Sequence, residues 1–332
     1  MSQAIFMVGE QRSGSNLLRL MVEQAGIAAP HPPHILTRMM PLMEKYGDLN
    51  ETGSWTTLVE DVCRLVERNP VPWEGVQLDR EQISSRCREK SLVAVFGALM
   101  DQYAQTVGAS AWLCKSMQYV LWSEDLDAYF GAPKYIYLYR DGRDVTLSFT
   151  KAVVGDKHPY FIAKKWAELQ MACLEARDRI GPERFFSLCY EDLTRDPEPI
   201  LRDLCDFLNV PFSEEMLNTH QSKGAHQAAQ SSTLWSNLNK PLMRDNTKKF
   251  LRDFSEAEVR IIESVAGEAL EALGYERVFV PIGAEEHYSE DQIKDFSMEN
   301  QRLIQEKRSE DDPADLERRR FQLEIIDEIK AR

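Results

Sequence analysis

The chain has 332 residues, 43% of them hydrophobic, which is enough to form a substantial core in one large α/β domain or in two average domains. The formal net charge of −14 disfavours nucleic acid and anionic membrane surfaces as partners, so a phosphate-bearing ligand has to be held by a few placed Arg and Lys side chains and by backbone N–H groups. The six cysteines show neither a Cys-x-x-Cys pair nor metal-ligand spacing, which predicts buried free thiols and no metal site.

The apolar run at residues 4–8 predicts a first strand, and the amphipathic run that ends at Gly26 predicts a helix after a short polar loop. The Pro/His-rich segment 30–34 cannot continue that helix. Downstream, helical and strand patterns alternate, which predicts a three-layer α/β sandwich with a central parallel sheet flanked by helices. The further predicted strands are 111–114, 135–139 and 185–190, and the further predicted helices are 54–68, 91–107, 142–153, 158–179 and 197–208.

A last core helix is predicted over Ser255–Gly274, with a Ser-x-x-Glu start signal and a terminal glycine. After Pro281 the composition becomes charged and poor in glycine. We therefore expect one domain over 1–280 and a charged helical extension over 281–332, which packs on the body or on a second copy in a homo-oligomer; a solvated, partly disordered tail is the alternative. Because no signal-peptide pattern precedes the first strand and no apolar run reaches about 18 residues, we expect a cytoplasmic protein without a membrane span.

The loop after the first strand has the two glycines of a phosphate-binding loop, between a strand and a helix. Its N–H groups and the helix N-terminus are expected to hold phosphate oxygens, although a plain strand-to-helix turn is the alternative. It lacks the Lys and the Ser/Thr that an ATP-hydrolysing or GTP-hydrolysing loop uses for the γ-phosphate and Mg²⁺, so a nucleotide that needs neither fits better, with Arg12 supplying positive charge. The segment reads Gly9-Glu10-Gln11-Arg12-Ser13-Gly14-Ser15-Asn16.

A second motif, Arg140-Asp-Gly-Arg143-Asp144-Val-Thr-Leu-Ser148, follows the predicted strand 135–139. Arg140 is expected at the carboxyl end of a parallel strand, where open α/β sheets bind ligands, and Ser148 two turns into the next helix. Both could reach one phosphate. Alternatively, the charges belong to an ordinary helix start and Ser148 is incidental.

Together the two motifs resemble the sulfotransferase family that uses 3′-phosphoadenosine 5′-phosphosulfate (PAPS) as donor, in the Arg-Ser-Gly-Ser variant typical of carbohydrate and tyrosylprotein sulfotransferases. The resemblance covers roughly residues 1–280 and implies a P-loop-containing fold, a product adenosine 3′,5′-bisphosphate (PAP) and no required metal. It implies a 5′-phosphosulfate site in the loop, a 3′-phosphate site at Arg140 and Ser148, an adenine neighbour at Tyr190 within Tyr-Glu-Asp-Leu, and a closing segment that contains Lys249. The implied cofactor-binding set is Arg12, Ser13, Gly14, Ser15, Asn16, Arg140, Ser148, Tyr190 and Lys249.

The implied reaction moves a sulfuryl group in line to a hydroxyl of a small-molecule, lipid or carbohydrate acceptor, so positioning and charge stabilisation dominate. Arg12 is the candidate for stabilising the departing bridging oxygen. One branch of the family has a Lys-Thr-His segment after its second strand; the matching segment here is Lys115-Ser116-Met117, which leaves a supporting role for Lys115 but supplies no base.

The family branch with the Arg-type loop has an acidic base about twenty residues after the loop, so the resemblance implies a general base in the matching segment here, His31-Pro-Pro-His34. His34 is favoured there, with His31 second, unless both merely line a loop. Glu44 and Asp48 are remote alternatives.

Acceptor selection is expected from residues 30–110, whose Trp55, Trp73 and Tyr46 either line a pocket or simply pack in the core. Two other functions stay open at this point. The chain could be a P-loop kinase or NTPase, or a non-catalytic nucleotide-binding protein.

Overall fold

The computed structural model describes residues 2–231, 235–310 and 312–332. Four strands in these residues form one parallel sheet in the order β2-β1-β3-β4. The predicted parallel sheet is therefore confirmed, although the last strand ends at Cys189 and Tyr190 already begins a helix. The strands are β1 (Gln3–Gly9), β2 (Ala111–Cys114), β3 (Lys134–Tyr139) and β4 (Phe185–Cys189).

Fifteen α-helices and three 3₁₀ segments occur in the described residues, and helices cover both faces of the sheet. The 3₁₀ segments are Met40–Tyr46, Met117–Trp122 and Glu214–Gln221. The helices are α1 (Ser15–Glu23), α2 (Ile35–Met39), α3 (Thr52–Glu67), α4 (Arg80–Arg86), α5 (Leu92–Thr106), α6 (Ser123–Phe130), α7 (Gly142–Lys151), α8 (Pro159–Ile180), α9 (Tyr190–Arg195), α10 (Pro197–Leu208), α11 (Lys223–Ser231), α12 (Phe250–Asp253), α13 (Glu256–Ala272), α14 (Glu290–Ser309) and α15 (Pro313–Lys330).

The central strand β1 divides the core into two layers, because successive side chains of a strand point to opposite faces. Phe6 and Val8 pack in a large aromatic-rich core with helices α3 and α5. Ile5 and Met7 pack in a second core with α1 and α10. The continuous apolar run that predicted this strand is thus explained by burial on both faces of a parallel sheet.

The predicted long helices are confirmed with shifts of about two residues at their ends. Short helices such as α2, α4 and α6 lie where no helix was predicted. Helices of five to eight residues carry too few turns to show a clear apolar period, and tertiary packing stabilises them.

The C-terminal residues form two helices that dock on the rest of the chain. The α14 side chain Asn300 accepts hydrogen bonds from the N–H groups of Lys157 (2.7 Å) and His158 (3.0 Å). From α15, Ile325 and Ile329 are buried in the large core. The tail is therefore part of the folded body rather than a solvated segment. Among the described helices, none combines the length and apolarity needed to span a bilayer.

Candidate active site

The loop between β1 and α1 forms a cradle of backbone N–H groups at the carboxyl edge of the sheet. Gly14 has φ 90°, and a Cβ there would lie 2.5 Å from the ring of Tyr190, so only glycine fits. Within the described chain, the N–H groups of residues 13–16 donate no backbone hydrogen bond, as expected at a helix N-terminus. These donors, together with the helix dipole, favour an anion at this position.

Polar side chains of the same loop are also buried without partners. Ser13 Oγ and Asn16 Oδ1 have no hydrogen bond in the described residues. Such groups normally cost free energy when buried, so they mark a place for a polar ligand. Arg12 donates from Nε to Ser148 Oγ (3.0 Å), which joins the first motif to the second. Burial, and then the nearby Arg140, lower the pKa of Arg12.

Arg140 follows directly after β3 and connects three parts of the site. It donates to the carbonyl oxygens of Arg12 (2.9 Å) and Asn246 (2.7 Å), and its guanidinium lies 4.5 Å from the centre of the Tyr190 ring. Its Nε remains unpaired within the described chain. The structure therefore brings Arg12, Arg140, Ser148 and Tyr190 together.

These residues line a cavity of about 520 Å³, a size typical of small-molecule and cofactor sites. Most of the predicted cofactor-binding residues line it. Ser13 is the exception, because its side chain is fully buried. The predicted lining residues are Arg12, Gly14, Ser15, Asn16, Arg140, Ser148, Tyr190 and Lys249.

One wall of the cavity is the segment from Trp235 to Lys249, and its part from Lys240 onward is the closing segment that the family resemblance implied. Asn246 Nδ2 donates to Tyr190 Oη (2.7 Å), and Asp144 accepts from the N–H of Phe250 (3.0 Å). Burial raises the pKa of Asp144. Asp144 belongs to the Arg-Asp-Gly-Arg-Asp motif, so a signal for it existed; Asn246 is a single amide in an irregular loop and gave none.

His34 and Lys115 lie together in a buried, cationic region. Ser116 Oγ is 3.2 Å from His34 Nδ1. Lys115 is 6% exposed and makes no hydrogen bond or ion pair with the described residues. Burial, then Arg19, with a contribution from Arg12, lowers the Lys115 pKa to about 7. Burial, then Lys115, then Arg38 lowers the His34 pKa to about 3.

His31 is held more tightly than His34. Its carbonyl oxygen accepts from Trp73 Nε1 (2.8 Å) and Asn69 Nδ2 (2.9 Å), and its ring lies 4.4 Å from that of Trp235, which also lines the cavity. Its Nε2 is buried without a partner in the described residues. Burial lowers the His31 pKa well below its usual value.

The remaining candidates are the two acidic alternatives for the general base and the aromatic residues expected to select the acceptor. Glu44 and Asp48 are exposed. Trp55 Nε1 donates to Ser84 Oγ (2.7 Å), and Tyr46 Oη donates to Asp61 Oδ2 (2.8 Å), within the large core. Core packing thus accounts for these aromatic side chains.

Backbone strain is concentrated in the phosphate-binding loop, at His34 and in the closing segment. Four non-glycine residues of the described chain have positive φ, a conformation that costs free energy. Three of the four are Arg12 (φ 69°), His34 (φ 56°) and Lys248 (φ 52°), the last of which adjoins Lys249. Strain of this kind persists where the surrounding structure maintains it, commonly at functional sites.

The described residues contain no group of three or more His, Cys, Asp or Glu side chains that could hold a metal ion. All six cysteines are free thiols, and four of them are buried, as predicted.

The sulfotransferase family model matches residues 4–214, and the chain belongs to this family. It is therefore a sulfotransferase enzyme, and the family's donor is PAPS. Membership decides against the P-loop kinase and the non-catalytic nucleotide-binding protein that the sequence had left open. A search of curated proteins found no match.

Two solved structures share the fold. One is the sulfotransferase domain of the olefin synthase from Synechococcus PCC 7002, with 22% identity over 82% of this chain and 94% of that chain, and a TM-score of 0.57. The other is the sulfotransferase domain from the curacin biosynthetic pathway, with 25% identity over 84% of this chain and 99% of that chain, and a TM-score of 0.57.

Proposed function

We propose that this enzyme transfers a sulfuryl group from PAPS to a hydroxyl group of a small-molecule, lipid or carbohydrate acceptor, with His34 as general base. The observation that carries the proposal is the meeting of two anion-binding elements in one cavity. The N–H cradle follows Arg12, whose Nε donates to Ser148 Oγ (3.0 Å) and whose carbonyl oxygen accepts from Arg140 (2.9 Å). Two anion-binding elements in one cavity match a nucleotide with phosphates at both the 5′ and the 3′ positions.

The unpaired hydrogen-bonding groups of the cavity fit PAPS, which supplies an activated sulfuryl group when bound. The backbone N–H groups of residues 13–16 would hold the 5′-phosphosulfate. Arg140, through its unpaired Nε, and Ser148 would hold the 3′-phosphate. Tyr190 would lie beside the adenine, and the closing segment with Lys249 would cover the nucleotide.

Arg12 and Lys115 have the charge needed near the transferred group. Arg12 would stabilise the oxygen that leaves, and Lys115 would interact with the sulfuryl oxygens. No carboxylate of the described residues pairs with Lys115, so none would have to be displaced. An anion near Lys115 would offset the repulsion from Arg19 and Arg12 and raise its pKa.

His34 has a neutral imidazole in the free enzyme because burial and nearby cations lower its pKa. A neutral ring can accept the acceptor's proton, and bound anions would raise its pKa toward the range of an effective base. The hydrogen bond with Ser116 orients the ring. His31 is the second candidate, with its ring against Trp235.

Four further parts of the account are predictions. We expect no metal requirement, because the loop lacks the residues of a Mg²⁺ site, and a cytoplasmic location. We treat 1–280 as the sulfotransferase domain and 281–332 as its helical extension. Homo-oligomer formation through the C-terminal helices also remains a prediction.

The base is tested by His34→Asn, with PAPS consumption measured by chromatography of the PAP formed in the presence of a mixture of alcohols. We expect turnover to fall by roughly 10²- to 10⁴-fold, because general-base catalysis contributes about this much. PAP affinity, measured by calorimetry, should stay within about twofold. The control is His287→Asn, which changes an exposed histidine.

Unchanged turnover in His34→Asn, together with a large loss in His31→Asn, would assign the base to His31. Absence of PAP formation by the wild type with every alcohol would count against the proposed reaction itself.

A further inference from the structure

Arg38 is a largely enclosed cation that the proposed reaction does not use. It lies on α2, and its Nη1 is buried without a hydrogen-bond partner. Its side chain forms no hydrogen bond or ion pair in the described chain, and no carboxylate affects its pKa, which burial lowers. Burial of an unpaired guanidinium nitrogen costs folding free energy, which an anionic ligand would offset.

The other buried arginines of the chain are paired differently. Arg19 donates to the carbonyl oxygen of Ala29 (2.7 Å), and Arg143 forms ion pairs with Asp141 (2.8 Å) and Glu263 (2.6 Å). Arg143 is paired through all three of its guanidinium nitrogens, whereas Arg19 Nε has no partner in the described residues. The side chain of Arg38 has neither a hydrogen bond nor an ion pair in the described residues.

The position of Arg38 relates it to the acceptor rather than to the donor. Its N–H donates to the carbonyl oxygen of His34 (3.0 Å), the N-cap residue of α2, so Arg38 follows His34 by one helical turn. Arg38 does not line the nucleotide cavity. The electrostatic neighbours of His34 include Lys115 and Arg38, whereas those of Lys115 include Arg12 but not Arg38. Arg38 is thus an electrostatic neighbour of the proposed base.

We propose that Arg38 is a specificity-determining residue that binds an anionic group of the acceptor, a carboxylate or a phosphate monoester. This inference rests on the proposed function and on His34 as the base. Because Arg38 follows His34 by one helical turn, the acceptor would carry its hydroxyl and its charge a few bonds apart. A guanidinium binds such planar or tetrahedral anions through two parallel hydrogen bonds.

The test uses PAPS and three matched sets of acceptors. These are 3-hydroxy to 5-hydroxy alkanoic acids of four to ten carbons, their methyl esters, and phosphate monoesters of the corresponding diols. We expect the wild type to prefer at least one charged set over the esters by tenfold or more in kcat/KM. Arg38→Gln should abolish that preference and keep ester turnover, while Arg38→Lys should retain part of it.

Two measurements separate this inference from the proposed function and from misfolding. Arg38→Gln should keep PAP affinity and should melt at the wild-type temperature or above it, because an unpaired desolvated charge is removed. Arg86→Gln, at an exposed position of α4, is the matched control. Ester turnover equal to or above that of both charged sets, no turnover of any charged acceptor, or a tenfold loss of PAP affinity in Arg38→Gln would overturn the inference. Absence of PAP binding by the wild type would instead overturn the proposed function.

Discussion

Lys115 lowers the stability of the folded state at neutral pH and has a role in the proposed reaction. Its ammonium group is enclosed, has no partner in the described residues and has Arg19 and Arg12 as neighbours, which together lower its pKa to about 7. In the unfolded chain the same group titrates near 10.5. Between these two pH values the unfolded state binds more protons than the folded state, so this group makes folding less favourable as the pH falls.

We therefore expect Lys115→Met to raise the free energy of unfolding at pH 7, by on the order of 4 kcal/mol, because the pKa falls from 10.5 to about 7 and each pKa unit is worth about 1.4 kcal/mol. The difference from the wild type should shrink as the pH rises from 7 toward 10, where the folded wild type has already lost the proton. Urea denaturation at a series of pH values measures this, with the exposed Lys45→Met as control. PAPS turnover should fall in Lys115→Met. A variant less stable than the wild type at pH 7 would contradict the account.

Among single residues, the sequence predicted the site residues that belong to motifs of fixed spacing. It did not predict the roles of residues outside such motifs. Arg12, Arg140 and Ser148 occur at set distances from a glycine loop or a strand end, so their meeting follows from the topology of a parallel sheet. Asn246 and Arg38 occur in irregular or short elements. Nothing local shows that the amide of Asn246 reaches Tyr190 or that the guanidinium of Arg38 lacks a partner.

Helix α14 is the element whose role is least evident from its own sequence. Asn300 of this helix accepts hydrogen bonds through Oδ1 from the N–H groups of Lys157 and His158. Its Nδ2 donates to Asp156 Oδ1 (2.9 Å). The segment it holds begins at Ala152 and Val153, which line the nucleotide cavity. The C-terminal extension is thereby connected to the cofactor site through the backbone after α7.

We expect Asn300→Ala to lower the free energy of unfolding by about 2 kcal/mol, because two backbone N–H groups lose a buried acceptor. PAP affinity should fall severalfold as the segment loosens. Thermal unfolding and calorimetry measure the two effects. The adjacent Gln301→Ala, at an exposed position, should change neither, and equal behaviour of the two variants would show that α14 does not support the site.

A helix could be predicted from the sequence when it was long and its apolar residues recurred with a helical period. The helix at 197–208 was predicted to the residue, because it has proline at its start and a strong apolar stripe. The short helix α2 was not predicted, since His34 starts it in a left-handed conformation that an L-residue seldom adopts. The two tail helices were predicted, but a stripe such as Ile325, Ile326 and Ile329 does not reveal which surface it will contact.

The whole molecule combines an acidic surface with a cationic site. The net charge is −14, whereas the cavity is lined by Arg12, Arg140, Lys151 and Lys249, and Lys115 lies close by. The overall field gives no general attraction for anions, so tight binding has to come from placed contacts within the cavity. A ligand that occupies both anion-binding elements should bind far better than one that occupies either alone.

Calorimetric titration with PAP, adenosine 5′-phosphate and Mg-ATP tests the central claim most directly, because the first two ligands differ only in the 3′-phosphate. Charge-assisted contacts from Arg140 and Ser148 predict that PAP binds in EDTA roughly 100-fold more tightly than adenosine 5′-phosphate. We also expect no gain on addition of Mg²⁺. Equal affinities for PAP and adenosine 5′-phosphate, or tighter binding of Mg-ATP than of PAP, would contradict the assignment of this site to PAPS.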